Sequence, residues 1–180
     1  CLNNQQEIII GYTHYFTQKK EVSDANWKAF SEDVKKIIDF AYEKLGIRTI
    51  SNDPNGVIVN EERINFNGIP DYETFYLPRH DPNIGFNFCK TARKPYDIVV
   101  GSILLLAHEH MPNSYDIGSD GEAREWKESM LLNAELLGYG FKLPPSFRSD
   151  PDKNQVEKEV IEFLAHEIMR NSNSSKKNKM

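Results

Sequence analysis

Near the start of the chain, hydrophobic and polar positions separate with period two; further on, the steps lengthen to three and four. Over residues 7–16, Ile8, Ile10, Tyr12, His14 and Phe16 share one face of an extended chain, and Ile9, Gly11, Thr13 and Tyr15 share the other. Both faces are mostly apolar, which predicts a central strand. Trp27, Phe30, Val34, Ile37, Ile38, Ala41 and Leu45 then form one helical stripe. That stripe predicts a core-facing helix capped by Ser23 or Asp24 and stopped at Gly46. Residues 57–59 and 64–66 read as a hairpin, and 72–77 as a further strand. Short turns between successive strands predict an antiparallel meander.

The most informative stretch is 86–107. Ile84, Phe86 and Phe88 alternate against Gly85, Asn87 and Cys89 as a strand. Lys90, Thr91, Arg93 and Lys94 follow, with no acid before Asp97. Pro95 suits the first position of a helix and pushes Lys94 out of the α region, so Lys94 is the expected cap. Residues 98–107 are apolar except Ser102, which predicts a helix buried on nearly every side. The run is about half the length of a membrane span. The first turn of a helix presents free N–H groups and a positive dipole end. Cations and a hydroxyl just before it make a seat for phosphate or carboxylate. The alternative is a loop of solvated cations in which Asp97 pairs with Arg93.

Beyond this helix, 114–118 reads as one more strand. Ser119, Asp120, Gly121 and Glu122 form a capping box for a helix with Ala123, Trp126, Met130, Ala134 and Leu137 inward and Gly138 at its end. Residues 139–152, with Pro144, Pro145 and Pro151, read as a linker. Val156, Val160, Phe163, Leu164 and Ile168 mark a C-terminal amphipathic helix over 153–170, and 171–180 reads as a disordered tail. The expected architecture is α+β: a mostly antiparallel sheet of about five to six strands, three helices packed on it, and the C-terminal helix. Residues 7–138 would form the single domain.

Composition narrows the function. A chain of 180 residues with 39% hydrophobic content can bury a core unaided. A net charge of −5 argues against broad nucleic-acid binding. Cys1 and Cys89 make no disulfide framework, so a reducing, cytoplasmic setting is expected. A processed lipoprotein also begins at cysteine, and that is the alternative. His108 and His110 are two apart on a helix, with Pro112 where a zinc helix needs its second histidine. They are expected as helix caps, and no metal site is expected. His14, at the end of a central strand, is the best general acid or base available.

The runs GYTHYF, INFNG, ETF and FCKTARKPYD resemble a family of small uncharacterised proteins of bacteria and bacteriophages. The resemblance spans roughly residues 11–137; the lead before it and everything after Gly138 depart from it. It implies no reaction and no cofactor. Its motifs fall on Tyr12, Thr13 and His14, and on Lys90, Thr91, Arg93, Lys94, Tyr96 and Asp97. The expected function is binding or processing of a phosphorylated small molecule or nucleotide. Lys90, Arg93 and Lys94 would neutralise phosphate, Thr91 would donate a hydrogen bond, and Tyr12 or Tyr96 would stack a base. His14 would be the catalytic group if a reaction occurs. The alternative is a protein-interaction module that engages a partner through the C-terminal helix.

Overall fold

A computed structural model describes residues 11–81 and 85–179. The expected strand positions 7–10, Ile84 and Cys1 lie outside the described residues. The fold is α+β. Among the described residues, seven strands form two antiparallel sheets rather than the one expected.

The first sheet holds β1 (Thr13–Gln18) between β6 (Phe86–Lys90) and β7 (Tyr115–Ser119). Both partners are antiparallel to β1, and His14 lies opposite Cys89 on one side and Ser119 on the other. The first strand is therefore central, as its two apolar faces predict. In the second sheet β4 (Arg63–Ile69) pairs with β2 (Arg48–Ile50), β3 (Ile58–Val59) and β5 (Phe75–Pro78). Phe75 joins the two sheets, its ring centroid 5.4 Å from both Phe16 and Phe66.

Helix α1 (Asp24–Leu45) starts at Ser23, whose hydroxyl accepts the Asn26 N–H, and stops at Gly46 in the left-handed conformation. Its stripe is buried through Ala41 except at the partly buried Ile38, whereas Leu45 reaches the surface. The apolar run forms α2 (Asp97–His110), buried continuously from Val99 to Ala107. It begins two residues later than Pro95, because 94–96 form a tight turn ahead of it, and Tyr96 rather than Lys94 takes the cap position. Helix α3 (Lys127–Leu137) continues a 3-10 turn, Ala123–Trp126, whose capping box uses Glu122 and Glu125 in place of Ser119 and Glu122. Gly101 lets α2 and α3 approach closely, since a Cβ there would strike the Ser129 hydroxyl.

Two expectations for the C-terminal part need correction. Residues 139–152 are not a linker: Leu143 and Phe147 are buried, and the Phe147 ring lies 5.4 Å from that of Trp126. The prolines shape a loop that packs on the core. Helix α4 (Lys153–Lys177) extends through most of the stretch expected to be disordered. Val156 and Val160 anchor it, while Ile161, Ile168 and Met169 are exposed. No described helix is long and apolar enough to cross a membrane.

Candidate functional site

The corner between β6 and α2 is built on strained backbone. Ala92 and Arg93 both have positive φ, 49° and 55°. The Lys94 N–H donates to the Thr91 carbonyl at 3.0 Å, closing a turn of the I′ pattern without glycine or asparagine at its centre. Left-handed backbone costs an ordinary residue about 1–2 kcal/mol. Two groups of contacts hold it. The Tyr12 carbonyl accepts the N–H groups of Thr91 and Ala92 at 3.0 and 3.2 Å. The Arg93 guanidinium sits 4.1 Å above the Tyr12 ring and donates twice to Glu125 Oε1, at 3.1 and 2.9 Å.

Behind this corner lies a buried polar relay. His14 Nε2 is 2.6 Å from Asp97 Oδ1, and the Thr91 hydroxyl donates to the same oxygen at 2.6 Å. His14 Nδ1 is 2.9 Å from Ser119 Oγ, which also accepts the Gly121 N–H at 2.9 Å. A carboxylate can only accept, so Nε2 is the donor to Asp97, while the Ser119 hydroxyl can donate to Nδ1 or accept from it. The imidazole is 1% exposed and edged by the Tyr12 and Trp126 rings. Both its nitrogens are engaged inside the protein. The expected proximity of His14 to the basic corner is present, but its ring does not face the hollow there; Asp97 does.

That hollow, about 320 Å³, is lined by Tyr12, Arg93, Lys94 and Asp97 from the corner and by Arg124 and Glu128 from the next helix start, among others. Two helix beginnings therefore meet around it. Its charges are mixed. Arg93 is held by Glu125, and Arg124 by Glu159 at 3.4 Å and Asp152 at 3.7 Å. Lys94 is half-buried and, among the described residues, has no carboxylate partner. Glu128 is exposed and likewise unpaired among them.

Several expected ligand contacts do not reach this hollow. Lys90 leaves the corner along β6, its ammonium 5.6 Å from the Tyr72 ring. Thr91 is fully buried and committed to Asp97. Tyr96 is fully buried with its hydroxyl on the Glu73 carbonyl at 2.6 Å, so it cannot stack a base. Tyr12 lines the hollow, yet its ring is covered by Arg93. Thr13 lies on the other face of β1, where its N–H donates to Asp120 at 3.1 Å. Asp97 does not pair with Arg93. Ser119, Arg124, Glu125 and Glu128 complete the site; the sequence does not mark them for it, because a charged helix start reads as solvated surface until its neighbour is known.

Burial and the nearby carboxylates Asp97 and Glu125 push the Tyr12 phenol upward, so it stays neutral. Burial pushes the Cys89 thiol up to about 12, which keeps it a protonated core residue. Among the described residues, no three His, Cys, Asp or Glu side chains gather as metal ligands. No family model matches the chain, and no curated protein or solved structure matches it either.

Proposed function

We propose that the protein binds a small molecule through a single anionic group seated at Lys94. One observation carries this reading: a half-buried lysine, beside the first turn of a buried helix, lines a hollow and forms no ion pair among the described residues, although Asp97, Glu125 and Glu128 line the same hollow. An ammonium so placed gains from an anion that also meets the positive end of α2. Phosphate and carboxylate both suit it. A phosphorylated small molecule fits better than a nucleotide, since neither Tyr12 nor Tyr96 offers an open ring face to a base. Should the ligand be turned over, Asp97 is the member of the His14 relay that lines the hollow, and His14 acts behind it as a positioning residue.

Thermal denaturation with inorganic phosphate, sugar phosphates, nucleotides and simple carboxylates tests this. A ligand at a hundred times its Kd adds about 2.7 kcal/mol of stability. The expected result is a raised Tm with at least one anion, lost in Lys94→Gln. A Tm unmoved by every anion, or moved equally in Lys94→Gln, refutes it.

A second reading, a protein-interaction module, is favoured by α4, whose outer half presents Ile161, Ile168 and Met169 to solvent on a stripe of helical spacing. It predicts that Ile168→Glu with Met169→Glu abolishes partner binding and leaves the anion response intact.

A further inference from the structure

The hollow at Lys94 does not end at Glu128. It adjoins a second, apolar groove of about 480 Å³ lined by Leu45, Ile47, Ile98, Leu131, Leu132 and Phe163. Pro95, Ile98 and Glu128 line both, so the two hollows meet at these side chains as a two-part depression. The groove rim also carries Lys44 and Glu135, which neutralise each other at 3.1 Å. Beside the engaged Arg93, Asp97, Arg124 and Glu125, the depression thus offers an unpaired cation at Lys94, an unpaired carboxylate at Glu128 where the hollows meet, and an apolar trough beyond it.

We propose that this depression binds a free α-amino acid with a large apolar side chain, of the leucine, isoleucine, methionine or phenylalanine kind. The proposal rests on the anion seat at Lys94 and specifies its ligand. The carboxylate would meet Lys94, the ammonium would meet Glu128, and the side chain would lie in the trough. That sequence of charges matches the bonding order of an α-amino acid: carboxylate, amine-bearing carbon, side chain. The position of Glu128 decides between ligand classes. A fatty or aromatic acid with its carboxylate on Lys94 must carry its apolar part past an uncompensated carboxylate. A phosphate dianion meets the same carboxylate with more charge. Only a ligand with a cation next to its anion leaves both unpaired groups matched, and charge matching of this kind governs selection more than raw affinity. A trough lined by aliphatic and aromatic side chains, with few polar groups to fix orientation, is the usual build of a small-molecule site.

Isothermal titration of the full chain with L-leucine, L-phenylalanine, glycine, N-acetyl-L-leucine, L-leucinamide and inorganic phosphate tests the assignment. Leucine or phenylalanine should bind, with glycine and both capped leucines at least tenfold weaker. Removing a partner from a charged contact leaves the protein group unmatched, which makes such discrimination steep. Glu128→Gln should weaken leucine at least tenfold while leaving N-acetyl-leucine unchanged; Lys94→Gln should weaken both. Glu128 is exposed and Lys94 lies at the rim, and an unchanged Tm without ligand verifies that both variants fold. If N-acetyl-leucine binds as tightly as leucine, or if only phosphate binds, the amino-acid assignment is overturned and the anion seat stands. If nothing on the panel binds, both fall.

Discussion

His14 Nε2 and Asp97 Oδ1 lie 2.6 Å apart, although 83 positions separate them in the chain. The bond ties the central strand to the first turn of α2, and Thr91 adds a second donor to the same oxygen. Asp97→Ala would orphan both donors inside the protein. An unsatisfied buried donor costs about 1–3 kcal/mol, so urea denaturation of Asp97→Ala should show a loss in that range or above it. Thr91→Val, which removes one donor and keeps the volume, should lose less. A loss below about 0.5 kcal/mol for Asp97→Ala, the size of an ordinary surface substitution, would mean that solvent takes the place of the carboxylate.

Local pattern announced the elements more readily than their arrangement. The stripe on α1, its Ser23 start and its Gly46 stop all follow from helical spacing and backbone preference. Over the described strand positions 86–89 the period-two reading separates the faces as the structure has them, yet it does not say which face points inward. Cys89 is buried, while Phe86 and Phe88 stand exposed beside Tyr15. The basic corner was visible as residue types, but a cation's partner is a matter of tertiary placement. Glu125 claims Arg93, strand direction carries Lys90 away, and of the corner's cations Lys94 is the one that lines the hollow without an ion-pair partner among the described residues. Nor could spacing reveal that the start of α2 meets the turn at 123–126, on which the hollow depends. The prolines of 139–152 look like a tether because composition records stiffness and not burial; Phe147 against Trp126 shows what that composition hides.

The left-handed pair at the corner makes a prediction of its own. Ala92 adopts φ 49° with a Cβ that disfavours it. Glycine removes a penalty of about 1–2 kcal/mol and adds about 0.5–1 kcal/mol of unfolded-state freedom. Ala92→Gly should therefore raise the denaturant midpoint slightly or leave it unchanged. A clear drop would show that the Ala92 methyl group contributes packing that outweighs the backbone penalty.

Gly121 sits where a Cβ would collide with the Tyr12 hydroxyl. Overpacking a fitted position costs about 1–3 kcal/mol, and Gly121→Ala should lose that much while shifting the ring that floors the hollow. Tyr12→Phe removes the nearest of the three atoms in the way and leaves ring carbons Cζ and Cε2 at 2.8 and 2.9 Å, so the relief is partial. In Gly121→Ala with Tyr12→Phe the two effects should not add, and the double variant should be more stable than the sum of the single losses implies. Strict additivity in urea denaturation would place the cost of Gly121→Ala elsewhere, in backbone conformation rather than in the clash.

His108, half-buried near the end of α2, sets a pH dependence whose sign can be worked out. Burial holds its folded-state pKa below the ordinary 6.5, and the adjacent Glu109 opposes that only in part. The unfolded chain therefore takes up a proton on this ring more readily than the folded one. Stability rises with pH wherever the unfolded state binds more protons. The contribution is absent as a penalty at neutral pH and above. It appears as pH falls through the unfolded value and is complete below the folded one. His108→Gln cannot titrate, so groups not coupled to His108 cancel in the difference between the two proteins, which reports His108 together with its interaction with Glu109. Unfolding free energies measured from about pH 8 down to about pH 5, a span bracketing the histidine range, should show the wild type losing stability relative to His108→Gln on the acid side. A flat difference would mean that the imidazole is as well solvated folded as unfolded, and a difference of opposite sign would mean that Glu109 outweighs burial.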